Sequence, residues 1–227
     1  YLPNGMTLTL CDGAFPLSTD SILLSYFVRL PKNASVLDLG SGCGTLGLLL
    51  CSKDRSCRVT GVELEDTAHQ EALRNIRHNR LDTRMESICA DLRSVSERFS
   101  PGSFSCCVSN PPYFSEGAIS RSLPKARQEL SCTPEDLFRC GSQMLKFGGD
   151  FFLVHKPERL AELIATGSKY KLETKRLCLV RHREGAPVNL ILLQLRKGAK
   201  PGLQWEEITL HHADGSPTPV YREIYHI

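Results

Sequence analysis

The segment Val36-Leu37-Asp38-Leu39-Gly40-Ser41-Gly42-Cys43-Gly44 joins an apolar run to three alternate glycines. The apolar run predicts a buried strand, and the leucine-rich residues 45–53 that follow predict a helix. Glycine at such a junction lets the backbone turn sharply and approach a ligand without interference from a Cβ atom. The segment therefore predicts a ligand-binding turn between a strand and a helix.

The spacing of the glycines narrows the choice of ligand. A dinucleotide-binding turn has the pattern G-x-G-x-x-G, whereas here the third glycine is Gly44 and Thr45 follows it. Because the spacing of a pyrophosphate-binding turn is not kept, the sequence disfavours a nicotinamide cofactor.

Strand-like and helix-like segments alternate along the chain, which predicts an α/β fold with a mainly parallel sheet covered on both faces. Residues 177–181 and 189–195 flank a turn-forming segment and predict an antiparallel hairpin at one edge of the sheet. We expect Gly148 and Gly149 to end a helix, and the tail from Lys197 onward is hard to assign. Further strands are predicted at 58–63, 86–89, 104–109 and 150–154, and further helices at 66–80, 134–145 and 158–168.

Acidic residues end two further predicted strands. Glu63 lies 23 positions after Gly40, close to the ~20 expected for a carboxylate that accepts from both hydroxyls of a ribose. Asp91, followed by Leu92, ends the strand near 86–89, where its carboxylate can accept from the amine of a cofactor's adenine. An ordinary strand-to-helix turn is the alternative for the glycines alone. The glycine turn, Glu63 and Asp91 follow successive predicted strands in this order, which instead favours one ligand-binding crevice at the strand ends.

Asn110-Pro111-Pro112-Tyr113 follows the apolar run 104–109 and is predicted to lie at the same edge. An exocyclic adenine amine is a poor nucleophile because its lone pair is delocalised into the ring. The Asn110 side-chain oxygen and the Pro111 carbonyl can each accept one N–H and stabilise the positive charge that grows on that nitrogen. The prolines stiffen the backbone, and Tyr113 offers a face on which a flipped-out base can stack. A Pro-Pro turn that merely ends a strand is the alternative.

Composition bounds the remaining possibilities. The 227 residues, 41% of them hydrophobic, can bury one sizeable core, so we expect one domain, with residues 1–34 as an extension near the cofactor and 197–227 as a tail. The sequence contains no run of the ~20 apolar residues that a membrane helix needs and no signal pattern at its start. The ten cysteines form no C-x-x-C pair, which disfavours zinc or another metal and suits a reducing cytoplasm.

The net charge of +3 is too small to indicate a nucleic-acid partner by itself, but the basic residues are not evenly spread. A basic cluster in 169–183 can be a phosphate-binding patch or a solvated face; its members are Lys169, Lys171, Lys175, Arg176, Arg181 and Arg183. The long link 114–131 can be a lid that orders over RNA, with Lys125 and Arg127 meeting phosphate, or an ordinary surface loop.

At Asn110 to Tyr113 the sequence resembles the N-P-P-Y signature of class I methyltransferases that act on exocyclic amines. Residues 15–24, 38–44, 110–114, 126–129 and 152–160 together resemble the bacterial tRNA(Val) adenine methyltransferase family over nearly the whole chain. One departure is Gln128, where that family usually has histidine.

The resemblance implies a Rossmann-like, seven-stranded methyltransferase fold, S-adenosylmethionine as donor, and methylation of the adenine beside the anticodon of a tRNA. It implies cofactor-binding roles around Thr19 and Asp20 and along Asp38, Gly40, Ser41, Gly42, Cys43 and Gly44, and a target-base site at Asn110 to Tyr113, with Phe114 as a further substrate contact. A cytoplasmic monomer or weak dimer is expected. Methyltransferases on protein glutamine, DNA or another amine share the signature, and a non-catalytic nucleic-acid-binding module with this fold remains an alternative.

Overall fold

The computed structural model describes residues 5–9, 19–111 and 132–226. Within them, strands and helices alternate as far as the fifth helix, and three strands and a last helix follow. The helices are α1 (Thr19–Phe27), α2 (Thr45–Lys53), α3 (Asp66–His78), α4 (Pro134–Met144), α5 (Leu160–Lys169) and α6 (Pro219–Tyr225). The strands are β1 (Ser35–Leu39), β2 (Arg58–Glu63), β3 (Met85–Cys89), β4 (Phe104–Ser109), β5 (Leu145–His155), β6 (Leu172–Arg183), β7 (Val188–Lys197) and β8 (Gln204–His211).

The described strands form one eight-stranded sheet in the order β3-β2-β1-β4-β5-β7-β6-β8. β7 pairs antiparallel with both of its neighbours, and all other neighbouring strands are parallel. Every strand of this sheet except β7 therefore ends at the same side. We call this side, which follows Leu39, Glu63, Ser109, Arg183 and His211, the carboxyl edge, and the opposite side the amino edge.

Two apolar layers cover the sheet, as expected when side chains alternate between the faces of a strand. Val36 and Val108 face a cluster that includes residues of α1, α2, α3 and α6. Leu37 and Cys107 face the other cluster, to which α4, β5 and β7 contribute most of the buried residues and α5 contributes Leu163. The helices on the two faces thus fix the strands whose ends carry the polar motifs.

Local signals explain where some elements begin and end. The Thr133 hydroxyl accepts from the Asp136 amide, the Asp136 carboxylate accepts from the Thr133 amide, and Pro134 occupies the first turn of α4. This capping box satisfies amides that a helix start leaves unpaired. At the end of α1, the Lys53 ammonium donates to the carbonyls of Ser25, Tyr26 and Val28, which ties α2 to α1.

The predicted α/β class, the mainly parallel sheet and the antiparallel β6–β7 hairpin are confirmed. The sheet has one strand more than the seven that the resemblance implies, because the tail adds β8 beside β6. The prediction for Gly148 and Gly149 is wrong, since α4 has already ended at Met144 and both glycines lie inside β5. They accompany a register shift against β4, at which Gly148 has a φ of +77°.

Among the described residues, no helix is long and apolar enough to span a membrane.

Candidate active site

The glycine turn and the Asn110 corner lie next to each other at the carboxyl edge. β1 and β4 are parallel neighbours in which Asp38 pairs with Val108. The buried Ser109 hydroxyl donates to the Leu39 carbonyl at 2.7 Å. This hydrogen bond joins the last residues of the two strands immediately before their loops begin. The glycine turn and Asn110 therefore follow neighbouring strands at one edge of the sheet, as the sequence predicted.

The glycine turn has backbone angles that other residues avoid. The φ angles of Gly40, Gly42 and Gly44 are +73°, +54° and +84°, in the region that glycine enters without a steric cost. A Cβ atom on Gly44 would also lie 2.9 Å from the Met85 side chain. The three alternate glycines are thus required by the shape of the turn itself.

Glu63 supports the turn from the end of β2. Its Oε2 accepts from the Gly42 amide at 2.7 Å, and its Oε1 accepts from the Glu65 amide at 2.9 Å. Each carboxylate oxygen can accept more than one hydrogen bond, so these contacts orient the group and leave it able to accept ribose hydroxyls. The sequence predicted the ligand role of Glu63 but not this bond to the turn.

Two buried polar atoms lie at this edge behind the turn. Asp38 is 1% exposed and Ser41 is 8% exposed, and neither Asp38 Oδ2 nor Ser41 Oγ has a hydrogen-bond partner among the described residues. Burial, assisted by the charge of Glu63, raises the pKa of Asp38 to about 7. Unpaired buried polar groups destabilise a protein. Their presence marks a position where a polar ligand can supply the missing partners.

A cleft opens beside the turn, between the ends of β2 and β3. The predicted residues Asp91 and Leu92 line it, and Asp91 is already engaged, because its two oxygens accept from Arg93 Nε at 3.0 and 2.9 Å. That hydrogen bonding lowers the pKa of Asp91, so the group is an ionised acceptor. The lining of the cleft comprises Gly40, Val62, Glu63, Leu64, Ala90, Asp91, Leu92, Arg93 and Cys132.

The Asn110 side chain is oriented by α1. Its Nδ2 donates to the Ser21 hydroxyl at 2.9 Å, so Oδ1 is the end of the amide directed away from Ser21. The next residue, Pro111, is buried. The predicted partners Pro112 and Tyr113 lie outside the described residues.

Thr19 and Asp20 begin α1, directly before Ser21. Burial raises the pKa of Asp20, and the positive charge of Lys156, just beyond β5, opposes that shift. The start of α1 therefore lies at the carboxyl edge, as a position near the cofactor requires.

Comparison with known proteins identifies the family. Residues 18–166 match the family model described as the methyltransferase small domain. The chain belongs to the methyltransferase small domain family. The match begins at the start of α1 and includes the glycine turn, Glu63, Asp91 and Asn110, so it contains every part of the site described above.

Within this family, the chain is similar to proteins named tRNA1(Val) (adenine(37)-N6)-methyltransferase. The one from Vibrio parahaemolyticus is 30% identical over 210 residues, which cover 90% of this chain and 84% of the relative. The one from Pectobacterium carotovorum is 32% identical over 191 residues, which cover 82% of this chain and 76% of the relative. The family resemblance drawn from the motifs is therefore confirmed.

The fold is shared with a solved structure. The crystal structure of a predicted O-methyltransferase from Agrobacterium tumefaciens superposes with a TM-score of 0.77 at 22% identity, and covers 92% of this chain and 96% of the other. This likeness shows that the methyltransferase architecture extends over the C-terminal strands as well.

The residues around the turn fit S-adenosylmethionine, the methyl donor expected for this family. The donor set contains a carboxylate at Glu63 for ribose hydroxyls and a second, ionised carboxylate at Asp91 in the adjoining cleft. The buried Asp38 and Ser41 oxygens provide unsatisfied polar atoms behind the turn. A nucleoside can donate hydrogen bonds to the Glu63 and Asp91 carboxylates that line the cleft.

The basic cluster predicted from the sequence does not form one patch. β6 has 12 residues and crosses the sheet from edge to edge, so Lys175 lies towards the amino edge and Arg183 at the carboxyl edge. Arg176 is already paired, since its Nη2 donates to Glu206 at 2.7 Å. Basic residues that are close in sequence therefore lie at opposite edges of the sheet, because β6 is long enough to separate them.

Some site residues were not predicted, and some predictions cannot be placed. Ser21 and Ser109 hold the Asn110 corner, and Arg93 and Cys132 line the cleft. A serine at a strand end or in a helix carries no signal by itself, because its importance depends on its spatial neighbour. The substrate candidates Phe114, Lys125 and Arg127, and the predicted lid 114–131, lie outside the described residues.

Proposed function

We propose that this methyltransferase transfers the methyl group of S-adenosylmethionine to the exocyclic amine of an adenine in RNA, in a tRNA beside the anticodon. The observation that carries the proposal is the Ser109–Leu39 hydrogen bond, which holds the glycine turn and the Asn110 corner side by side. The names of the similar Vibrio and Pectobacterium proteins support tRNA as the substrate.

S-adenosylmethionine supplies a methyl group activated by a positively charged sulfur. The Asn110 Oδ1 atom and the Pro111 carbonyl accept the two N–H groups of the adenine amine, which positions the nitrogen and stabilises its growing positive charge. Ser21 fixes the amide by accepting from its Nδ2. The proton leaves after transfer, when the amine is acidic, so the chemistry needs neither a covalent enzyme intermediate nor a catalytic histidine or cysteine.

The proposal also covers metal dependence, cellular location and oligomeric state. The donor methyl group is already activated, so a metal ion is not needed for transfer. The nine described cysteines have free thiols, which suits the reducing cytoplasm in which tRNA is modified. We place the enzyme there as a monomer or weak dimer.

The test offers the wild-type enzyme labelled donor together with bulk tRNA, DNA or protein, and identifies the modified nucleoside by mass spectrometry. The proposal expects N6-methyladenosine in tRNA and none with Asn110→Ala. Label in protein glutamine or in DNA alone would overturn the choice of substrate. Failure of the wild type to bind the donor would overturn the enzyme and favour a non-catalytic nucleic-acid-binding module.

A further inference from the structure

A row of four rings crosses the C-terminal part of the molecule. The ring centroids of His182 and His211 are 5.0 Å apart, and those of His211 and Tyr221 are 4.7 Å apart. Tyr221 and Tyr225 stack with centroids 4.4 Å apart and planes 24° from parallel. We call these four residues the ring row. Its members come from β6, β8 and α6, so it exists only because the tail adds β8 and α6.

The ring row lies at the carboxyl edge and is continuous with the site. His182 and His211 are at the ends of β6 and β8, which finish on the same side as β1 and β4. At the other end of the row, the Tyr225 side chain lies near Thr19 and Asp20 at the start of α1. Two residues further along α1, Ser21 holds Asn110. The row therefore ends close to the start of α1, the helix whose Ser21 holds Asn110.

The surroundings of the row are polar and carry both charges. His182 is exposed, so the row ends in a ring that solvent can reach, and the exposed Arg183 and Arg222 are adjacent in sequence to members of the row. The acidic neighbours are engaged within the protein, since Glu184 lies 3.9 Å from His212 and Glu223 accepts from the Tyr26 hydroxyl. The exposed Asp214 caps its own turn through Ser216.

We propose that the ring row is a stacking surface for unpaired RNA nucleotides that flank the target adenine. Single-stranded RNA is bound by stacking of bases on aromatic and histidine rings, with cations nearby for phosphates. A base that stacks on the open end at His182 continues a series of rings that already lead towards Asn110. The inference rests on the proposed function and adds to it a binding surface outside residues 18–166, the range that matches the family model.

Two substitutions test the surface. His182→Ala removes the exposed end of the row, and Tyr221→Leu interrupts its middle while keeping an apolar side chain against the core. Trp205→Ala is the matched control, because Trp205 is an aromatic residue on the same strand as His211, is 67% exposed, and lies at the amino edge. Affinity is measured by fluorescence anisotropy with an RNA hairpin that has an anticodon stem-loop sequence, with saturating S-adenosylhomocysteine present.

We expect His182→Ala and Tyr221→Leu each to weaken hairpin binding about 5-fold or more, since one stacked base contributes roughly that much. His182→Phe should restore binding, because it keeps an aromatic ring on which a base can stack. Donor affinity, measured by calorimetry, should not change, and Trp205→Ala should bind RNA like the wild type. RNA affinity unaltered in His182→Ala would overturn the surface even if Tyr221→Leu lost stability.

The outcome is separable from that of the proposed function. A wild type that methylates tRNA while His182→Ala keeps its affinity and its KM for tRNA refutes the ring row alone. A wild type that methylates no RNA refutes the proposed function, whatever the variants do.

Discussion

Both edges of the sheet carry acidic side chains, but those at the amino edge are hydrogen-bonded to arginines and Asp38 at the carboxyl edge is not fully hydrogen-bonded. Towards the amino edge, Arg196 donates to both oxygens of Asp150 at 2.8 and 3.0 Å, and Arg176 lies over the Phe27 ring with its charge against Glu206. At the carboxyl edge, Asp38 is more deeply buried than either of those acids, yet Asp38 Oδ2 lacks a partner among the described residues.

This difference separates residues that stabilise the fold from residues that await a ligand. At the amino edge the charged side chains are paired with each other, so they need no ligand. Buried acceptors without partners weaken folding, and proteins keep such groups mainly where function needs them. The unpartnered Asp38 and Ser41 oxygens therefore agree with the functional edge that the site indicates, although the buried Thr174 Oγ1, near the start of β6, also has no partner among the described residues.

Removing the Asn110 amide should have the largest effect. Asn110→Ala takes away one acceptor for the adenine amine, so we expect transfer to fall about 100-fold or more, as when a transition-state hydrogen-bonding group is lost. Donor affinity should stay close to that of the wild type. The measurement is single-turnover transfer of labelled methyl to tRNA, with Gln143→Ala, an exposed amide on α4, as control. Near-normal transfer on any wild-type substrate would remove Asn110 from the mechanism.

Glu63→Ala should mainly affect donor binding. The change removes the carboxylate that accepts from Gly42 and Glu65 and that we assign to the ribose hydroxyls. We expect a loss of about 2 to 4 kcal/mol in binding free energy, from two hydrogen bonds to a charged group. Calorimetry with S-adenosylhomocysteine measures it, and the exposed neighbour Glu65→Ala is the control. Equal affinities of the Glu63 variant and the wild type would refute the assignment.

Ser21→Ala should have a smaller effect on the same step as Asn110→Ala. Without the Ser21 hydroxyl, Asn110 keeps its amide but loses the partner of Nδ2. We expect kcat to fall about 5-fold, because a positioning bond of about 1 kcal/mol is lost, with KM for the donor unaltered. Ser25→Ala, whose hydroxyl donates to a carbonyl within α1, provides the control. A change in donor KM without a change in kcat would contradict the positioning role.

The smallest effect should be on stability, with opposite signs at the two edges. The folded-state pKa of Asp38, about 7, lies above its ordinary value, so folding takes up a proton and the ionised group destabilises the protein above that pH. Asp38→Asn should therefore raise the free energy of unfolding at pH 8, and the gain should shrink as the pH falls from 7 towards 4. Asp150→Asn should lower stability by about 0.5 to 1 kcal/mol through its lost pair with Arg196.

Urea unfolding at pH 5 and pH 8 measures both effects. A decrease in the stability of Asp38→Asn at pH 8 would contradict the claim that this carboxylate is an unsatisfied group. An increase for Asp150→Asn would remove the contrast between the edges.

The elements that the sequence predicted best have strong local signals. The bounds of α2, β2 and β4 agree with the prediction because each is an apolar or periodic run with clear limits. β8 was missed because Gln204 to Glu207 at its start are exposed at the sheet's edge, so its strand pairing leaves no hydrophobic pattern. The glycines of β5 were misjudged because a bulge and a helix end use the same residue type.

The site residues that could be predicted from the sequence are those that directly follow a strand. The glycine turn, Glu63, Asp91 and Asn110 come from strand ends, and a parallel sheet places such ends together. Ser21 and the ring row could not be predicted, because they depend on how α1 and the tail pack against that edge. The Ser21–Asn110 bond joins residues 89 positions apart, and the rings of the row lie on three different elements.

The most direct test of the shared edge uses a bisubstrate compound that joins the adenosyl part of the donor to the exocyclic nitrogen of a second adenosine by a short linker. If the turn and the Asn110 corner open onto one site, the compound should bind the wild type more tightly than S-adenosylhomocysteine, and both Asn110→Ala and Glu63→Ala should weaken it. Affinity no better than that of S-adenosylhomocysteine, and unchanged by Asn110→Ala, would contradict the account.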